Sequence, residues 1–99
     1  MEQKYKDILV AINESIKQRQ KNEASWGIKD LPLSQRTTGY RINLRLEHDD
    51  FFERIDWLAN NGYIIIGTGI DGGEWCDITD SYVETYKLTN LGKETVGGE

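Results

Sequence analysis

His48 and Cys76 are the single histidine and the single cysteine of the chain. They are the side chains most readily recruited for proton transfer or nucleophilic attack near neutral pH. Twenty-eight positions separate them, and no third group that would orient a base beside a nucleophile is evident in the sequence. His48 stands directly before Asp49-Asp50 and reads as the opening of a helix rather than as a base. Asp71, Asp77 and Asp80 share a glycine-containing loop, but steps of six and three residues do not match a calcium loop, and its closing glutamate is missing. Gly67, Gly69, Gly72 and Gly73 lack the lysine and the strand-to-helix context of a phosphate loop, so they read as turn residues. The expectation is a non-enzymatic protein with no metal and no cofactor.

Recognition by charge is the remaining chemistry. The net charge is −5 over 99 residues, and it is unevenly spread. Residues 1–46 carry nine Lys and Arg against five Asp and Glu, whereas residues 47–99 carry three against twelve. Between Gly62 and Tyr86 there is no basic residue, and Asp71, Glu74, Asp77, Asp80 and Glu84 are acidic. Such asymmetry predicts a bipolar surface. Ninety-nine residues form one domain with one core, which leaves little chain for a deep cleft. We expect that domain to span 1–96, with 97–99 as a frayed tail. No apolar run approaches the ~20 residues that span a bilayer. The N-terminus MEQKYKD opens with charge rather than a leader, and a lone cysteine fits a reducing compartment. A cytoplasmic protein with no membrane partner is the expectation.

The elements that position these charges follow from periodicity. Tyr5, Ile8, Leu9, Ile12 and Ile16 recur at three- and four-residue steps and predict a helix over 2–20. Its stripe should be core, although it could also serve as a homodimer seam. Lys17, Arg19 and Lys21 suit a solvated C-terminal helix end. Trp26 is expected to anchor a turn to the core. Ile28, Leu31 and Leu33 around Pro32 suggest an extended segment, and residues 34–39 suit a loop or the start of a second helix. Tyr40, Ile42, Leu44 and Leu46 alternate with polar residues at strand period, yet a helix there fits the downstream pattern better. Helix is preferred, with strand as the alternative.

From Asp49 to Asn60 the pattern is firmer. Asp49 and Asp50 suit the cap and first turn, Phe51, Phe52, Ile55, Leu58 and Ala59 form the apolar face, and Trp57 sits at its edge. Asn61-Gly62 is a helix stop. Tyr63–Ile66 reads as a strand buried on both faces, 67–81 as a long loop, Val83–Leu88 as the returning strand, and Thr89 or Asn90 as the cap of a last turn. The predicted core is the first stripe with Phe51, Phe52, Ile55, Leu58, Ile64, Ile66, Val83, Tyr86 and Leu88.

Phe51…Ile55…Leu58…Gly62-Tyr63-Ile64, followed by Tyr86-Lys87-Leu88-Thr89…Gly92, resembles bacterial winged-helix proteins. Within them the chain is similar to the small YjcQ-like group of Firmicutes and their mobile elements, over residues 42–95. The resemblance implies an α+β winged helix-turn-helix, with helices and a C-terminal β-hairpin wing over Gly67–Ser81. It implies that Asp49–Asp56 is the outward part of a recognition helix.

Two readings of function follow. In the first, a small regulator binds double-stranded DNA. Arg36, Arg41, Arg45, Arg54 and Lys87 then form the contact, with Arg41, Arg45 and Arg54 on phosphates or base edges and Lys87 holding the wing to the backbone. In the second, the acidic surfaces meet a basic protein, such as the nucleic-acid-binding target of a mobile-element inhibitor. Asp50, Glu53, Trp75, Asp77 and Asp80 then carry the contact. The acids of the recognition helix and wing oppose the first reading, and the fold favours it, so the DNA-binding reading leads narrowly.

Overall fold

The computed structural model describes residues 1–27, 33–42 and 44–97. Its elements are α1 (Gln3–Ser25), β1 (Arg36–Thr38), a 3₁₀ turn (Gly39–Arg41), α2 (His48–Asn60), β2 (Ile64–Gly67), β3 (Glu74–Cys76), β4 (Ser81–Val83), β5 (Thr85–Leu88) and α3 (Asn90–Gly97). The architecture is α+β. Three strands form an antiparallel sheet in the order β1-β5-β2, and β3 and β4 form a separate hairpin.

The stripe of α1 is the centre of the core. Ile8, Leu9 and Ile12 are fully buried, with Tyr5 and Ile16 nearly so, and each such side chain stabilises by about 1.5–3 kcal/mol. All five are used within the chain's own fold, so the stripe is not free to serve as a dimer seam. They meet Ile55 and Leu58 of α2 and the inner face of the sheet, where Ile64 pairs with Leu88 and Ile66 with Tyr86. The helix runs to Ser25, five residues past its expected end, and its second half carries polar groups that hold β1 and the residue leading into it. Ser15 Oγ and Thr37 Oγ1 share a hydrogen bond of 2.5 Å, Gln20 Nε2 donates to the Ser34 carbonyl at 2.7 Å, and the Ser34 N–H donates to Glu23 at 2.9 Å.

The C-terminal motif is structural. Thr89 Oγ1 donates to the Gly62 carbonyl at 2.6 Å and accepts the Gly92 N–H at 3.1 Å, so it caps α3 while tying it to the end of α2. A side chain at Gly92 would collide with the Tyr63 carbonyl oxygen. Gly62 has φ +80°, the left-handed helix stop its position requires. Trp57 lies between Tyr5 at 4.0 Å and Tyr63 at 5.9 Å, nearly parallel to both rings, and locks α1, α2 and the start of β2 together.

Several expectations are corrected. The described residues 40–42 and 44–47 form neither the expected helix nor a strand: the 3₁₀ turn ends at Arg41, and 44–47 are irregular. The first strand is instead Arg36–Thr38, where a loop or helix start was expected. Trp26 is 63% exposed rather than packed into the core, and at that end of α1 Glu23 accepts the Ser34 N–H. β2 is buried on one face only, since Ile65 is 48% exposed beside Lys87 on the outer face. Val83–Leu88 is interrupted at Glu84, which lets β4 turn away to pair with β3 rather than with the sheet. Phe51, Phe52, Ile66 and Val83 are half-buried at the rim of the core. The cap residue of α2 is Glu47, with no side-chain bond, and Asp49 and Asp50 occupy the first turn. Ile28, Leu31 and Pro32 lie outside the described residues, as does most of the 97–99 tail. No helix among the described residues is long and apolar enough to cross a membrane.

Candidate functional site

The expected arginine ridge does not assemble as one free surface. Arg41 Nη2 lies 3.4 Å from Glu74 Oε2, and its guanidinium covers the Tyr40 ring at 5.3 Å. Glu74, at the start of β3, also pairs with Arg19 and accepts the Tyr40 hydroxyl at 2.9 Å. Arg19 in turn reaches Glu23 at 3.3 Å and donates to the Arg36 carbonyl at 3.2 Å. Arg19 is therefore not a solvated helix-end cation. It is the centre of a clamp joining α1, the 3₁₀ turn and the base of the hairpin. Partial burial on its own would raise the Glu74 pKa, but the Tyr40 hydroxyl and the Arg19 and Arg41 guanidiniums outweigh it. The carboxyl is held below its ordinary value of 4.5.

The other cations are placed differently. Arg36 and Lys87 are direct cross-strand partners on the outer face of the sheet. The Arg36 guanidinium leans over the turn after β2 and donates weakly to Thr85 Oγ1 at 3.4 Å. Arg45 is exposed and Arg54 is half-buried. Among the described residues, neither has an ion-pair partner. Two of the five expected DNA contacts thus adjoin each other, one is neutralised by the hairpin, and two stand apart.

The acidic candidates are more coherent on the hairpin than on α2. On α2, Asp50 is exposed, whereas Glu53 accepts the Tyr5 hydroxyl at 3.0 Å and serves the α1–α2 contact. On the hairpin, Trp75 and Tyr82 are cross-strand partners whose rings meet edge to face at 5.2 Å. Trp75 is 48% exposed, and its Nε1–H donates to Asp77 at 2.9 Å. Ile78 is 95% exposed and Ile70 is 85% exposed. Asp71 and Asp80 are also exposed, and Asp80 takes φ +52° in the turn that closes the hairpin. Ile70 and Ile78 carry no charge or periodicity of their own, so sequence reasoning missed them. Their position in a loop without a basic residue was the available signal.

A second surface opens between the 3₁₀ turn and α2. A groove of about 570 Å³ is walled by Ile42, Leu44, Leu46, Phe51, Phe52 and Val83, with Tyr86 also lining it and His48 and Glu84 contributing polar groups. Its rings are fixed: Phe52 meets His48 at 4.5 Å and Phe51 at 5.3 Å, and Phe51 meets Tyr86 at 6.0 Å. Burial, with the nearby Glu84 carboxylate, pushes the Tyr86 phenol far above its usual range and keeps it neutral. This groove occupies the side where a second helix of a helix-turn-helix was expected.

The residues weighed for catalysis lie on different elements. The His48 imidazole lies on the exposed first turn of α2, 3.5 Å from the Asp49 carboxylate. The Cys76 thiol on β3 is hydrogen-bonded by the Thr79 side chain and by the backbone of Thr79 and Ile78, which lower its pKa. Among the described residues, no group of three or more His, Cys, Asp or Glu is gathered closely enough to hold a metal ion. The chain matches no protein-family model, no curated protein and no solved structure.

Proposed function

We propose that the chain is a non-enzymatic recognition domain of winged-helix type that binds a basic protein through its β3–β4 hairpin. The order α1, β1, α2, β2, hairpin, β5, with the last strand in the centre of the sheet, supports the winged-helix reading. In it, the middle helix is reduced to the 3₁₀ turn and β3–β4 is the wing. One observation carries the choice of ligand. The wing and the turn before it present Trp75, Tyr82, Ile70 and Ile78 to solvent among Asp71, Asp77 and Asp80, and no basic residue lies between Gly62 and Tyr86. Exposed aromatic and aliphatic side chains ringed by one sign of charge suit a protein hot spot of opposite charge.

Duplex DNA is the second reading, favoured by the adjoining Arg36 and Lys87 and by Arg45 and Arg54, which are unpaired among the described residues. Against it, a wing laid on a phosphate backbone would bring its carboxylates close to phosphates. Each close pair costs about 1 kcal/mol in high dielectric and more where water is excluded.

Affinity capture with the full chain separates the two. Asp77→Lys with Asp80→Asn, the latter suited to the left-handed turn position, should abolish capture of a lysine- and arginine-rich protein. Arg45→Glu with Arg54→Glu should leave it intact. Capture of duplex DNA that survives the first pair and is lost with the second contradicts the proposal.

A further inference from the structure

We propose that the groove between the 3₁₀ turn and α2 is a socket for one bulky apolar side chain flanked by Lys or Arg on a peptide segment of the protein partner. The inference rests on the protein-binding reading and extends it to a second contact surface. Its shape comes first. The volume, about 570 Å³, falls within the ~300–1,000 Å³ range of ligand pockets. Aromatic and branched aliphatic residues line most of it, and the edge-to-face contacts of Phe51 with Phe52 and Tyr86 hold the wall in place before anything binds. A preformed apolar socket loses little order when filled.

Charge selects the occupant. Glu84 lines the groove, Asp49 lies 3.5 Å from the His48 imidazole that lines it, and the exposed Glu47 stands between Leu46 and His48 at the start of α2. Arg41 is engaged by Glu74, so Arg45 is the one flanking cation without a partner among the described residues. Three carboxylates against one free guanidinium favour a cationic segment and disfavour an acidic one. Val83 and Glu84 also belong to the junction of β4 and β5, so the groove is continuous with the base of the wing. A partner seated on the wing has a second foothold next to it.

The test is selection of peptides from a random displayed library on the immobilised full-length protein, followed by anisotropy titration of the enriched peptides. The expected family carries Leu, Ile, Phe or Trp with Lys or Arg on either side. Its affinity should fall about 10- to 30-fold with Leu44→Asp, as for loss of a hot-spot contact. Leu44 lies at the surface, so this variant should keep the native circular dichroism spectrum and melting temperature. Phe52→Ala should weaken the same peptides from the opposite wall, and Asp49→Lys with Glu84→Lys should weaken them and blunt their salt dependence. Enriched peptides that ignore all of these changes but respond to Asp77→Lys would overturn the socket while leaving the wing as the binding surface. Acidic peptides, or no enriched family, would overturn both.

Discussion

The base and the tip of the same hairpin treat their carboxylates in opposite ways. At the base, Glu74 is surrounded by Arg19, Arg41 and the Tyr40 hydroxyl, and its pKa is depressed. At the tip, Asp80 faces solvent, and Asp77 is exposed apart from the Trp75 indole N–H it accepts. The first arrangement uses cations from the basic N-terminal half to fix where the hairpin stands. The second leaves a negative surface exposed to solvent. A negative net charge therefore divides here into acids that serve the fold and acids left free at the surface.

The largest break in that comparison comes from Arg19→Ala. It removes the partner of Glu23, which is almost fully buried, and of Glu74 at once. Stripping one member from a buried pair costs about 3–5 kcal/mol, and the partial exposure of Arg19 reduces this to about 2–3 kcal/mol. The melting temperature should fall by about 10 °C or more.

Glu74→Gln keeps the shape and removes the charge, with an expected loss of about 1 kcal/mol by denaturant titration. The pH dependence sharpens the same point. Because folding lowers the Glu74 pKa, the unfolded chain takes up the proton first as pH falls. The stabilisation is complete well above pH 4.5 and is lost as pH falls through the lower folded value. The wild type should therefore lose more stability than Glu74→Gln on going from pH 6 to below about pH 4. Smallest of all, Asp77→Asn with Asp80→Asn should change stability by less than about 0.5 kcal/mol, as expected of exposed positions. The same pair should weaken partner binding, which separates tip from base.

Much of the scaffold was legible because it obeys local rules. The α1 stripe at helical spacing is buried at every predicted position. Asn61-Gly62 stops α2, and the Leu88-Thr89…Gly92 ending is explained by a cap and by a backbone approach that admits only glycine. Gly92→Ala should accordingly cost about 2–3 kcal/mol, measurable as a loss of melting temperature.

The site was less legible, for physical reasons. The alternation of Tyr40, Ile42, Leu44 and Leu46 supports neither helix nor sheet. It turns Ile42 into the core and lays Leu44 and Leu46 along a groove, a pattern that looks like a strand in sequence. The Glu74 clamp joins residues 55 positions apart, and such long-range pairs leave no spacing to read. Arg41 and Arg45 are four residues apart, but separation alone could not reveal that the hairpin's Glu74 pairs with Arg41 and not with Arg45.

The most direct test of the account is anisotropy of a labelled random-sequence duplex titrated with the full-length protein, at low salt and at about 0.15 M. Phosphate-driven binders show non-specific dissociation constants near 10⁻⁴–10⁻⁶ M at physiological salt, tightening steeply as salt falls. An acidic wing built to meet a basic protein predicts no binding at either salt concentration. Salt-sensitive binding lost with Arg45→Glu and Arg54→Glu would contradict it, and would make Arg36, Lys87 and the two free arginines a DNA-contacting surface.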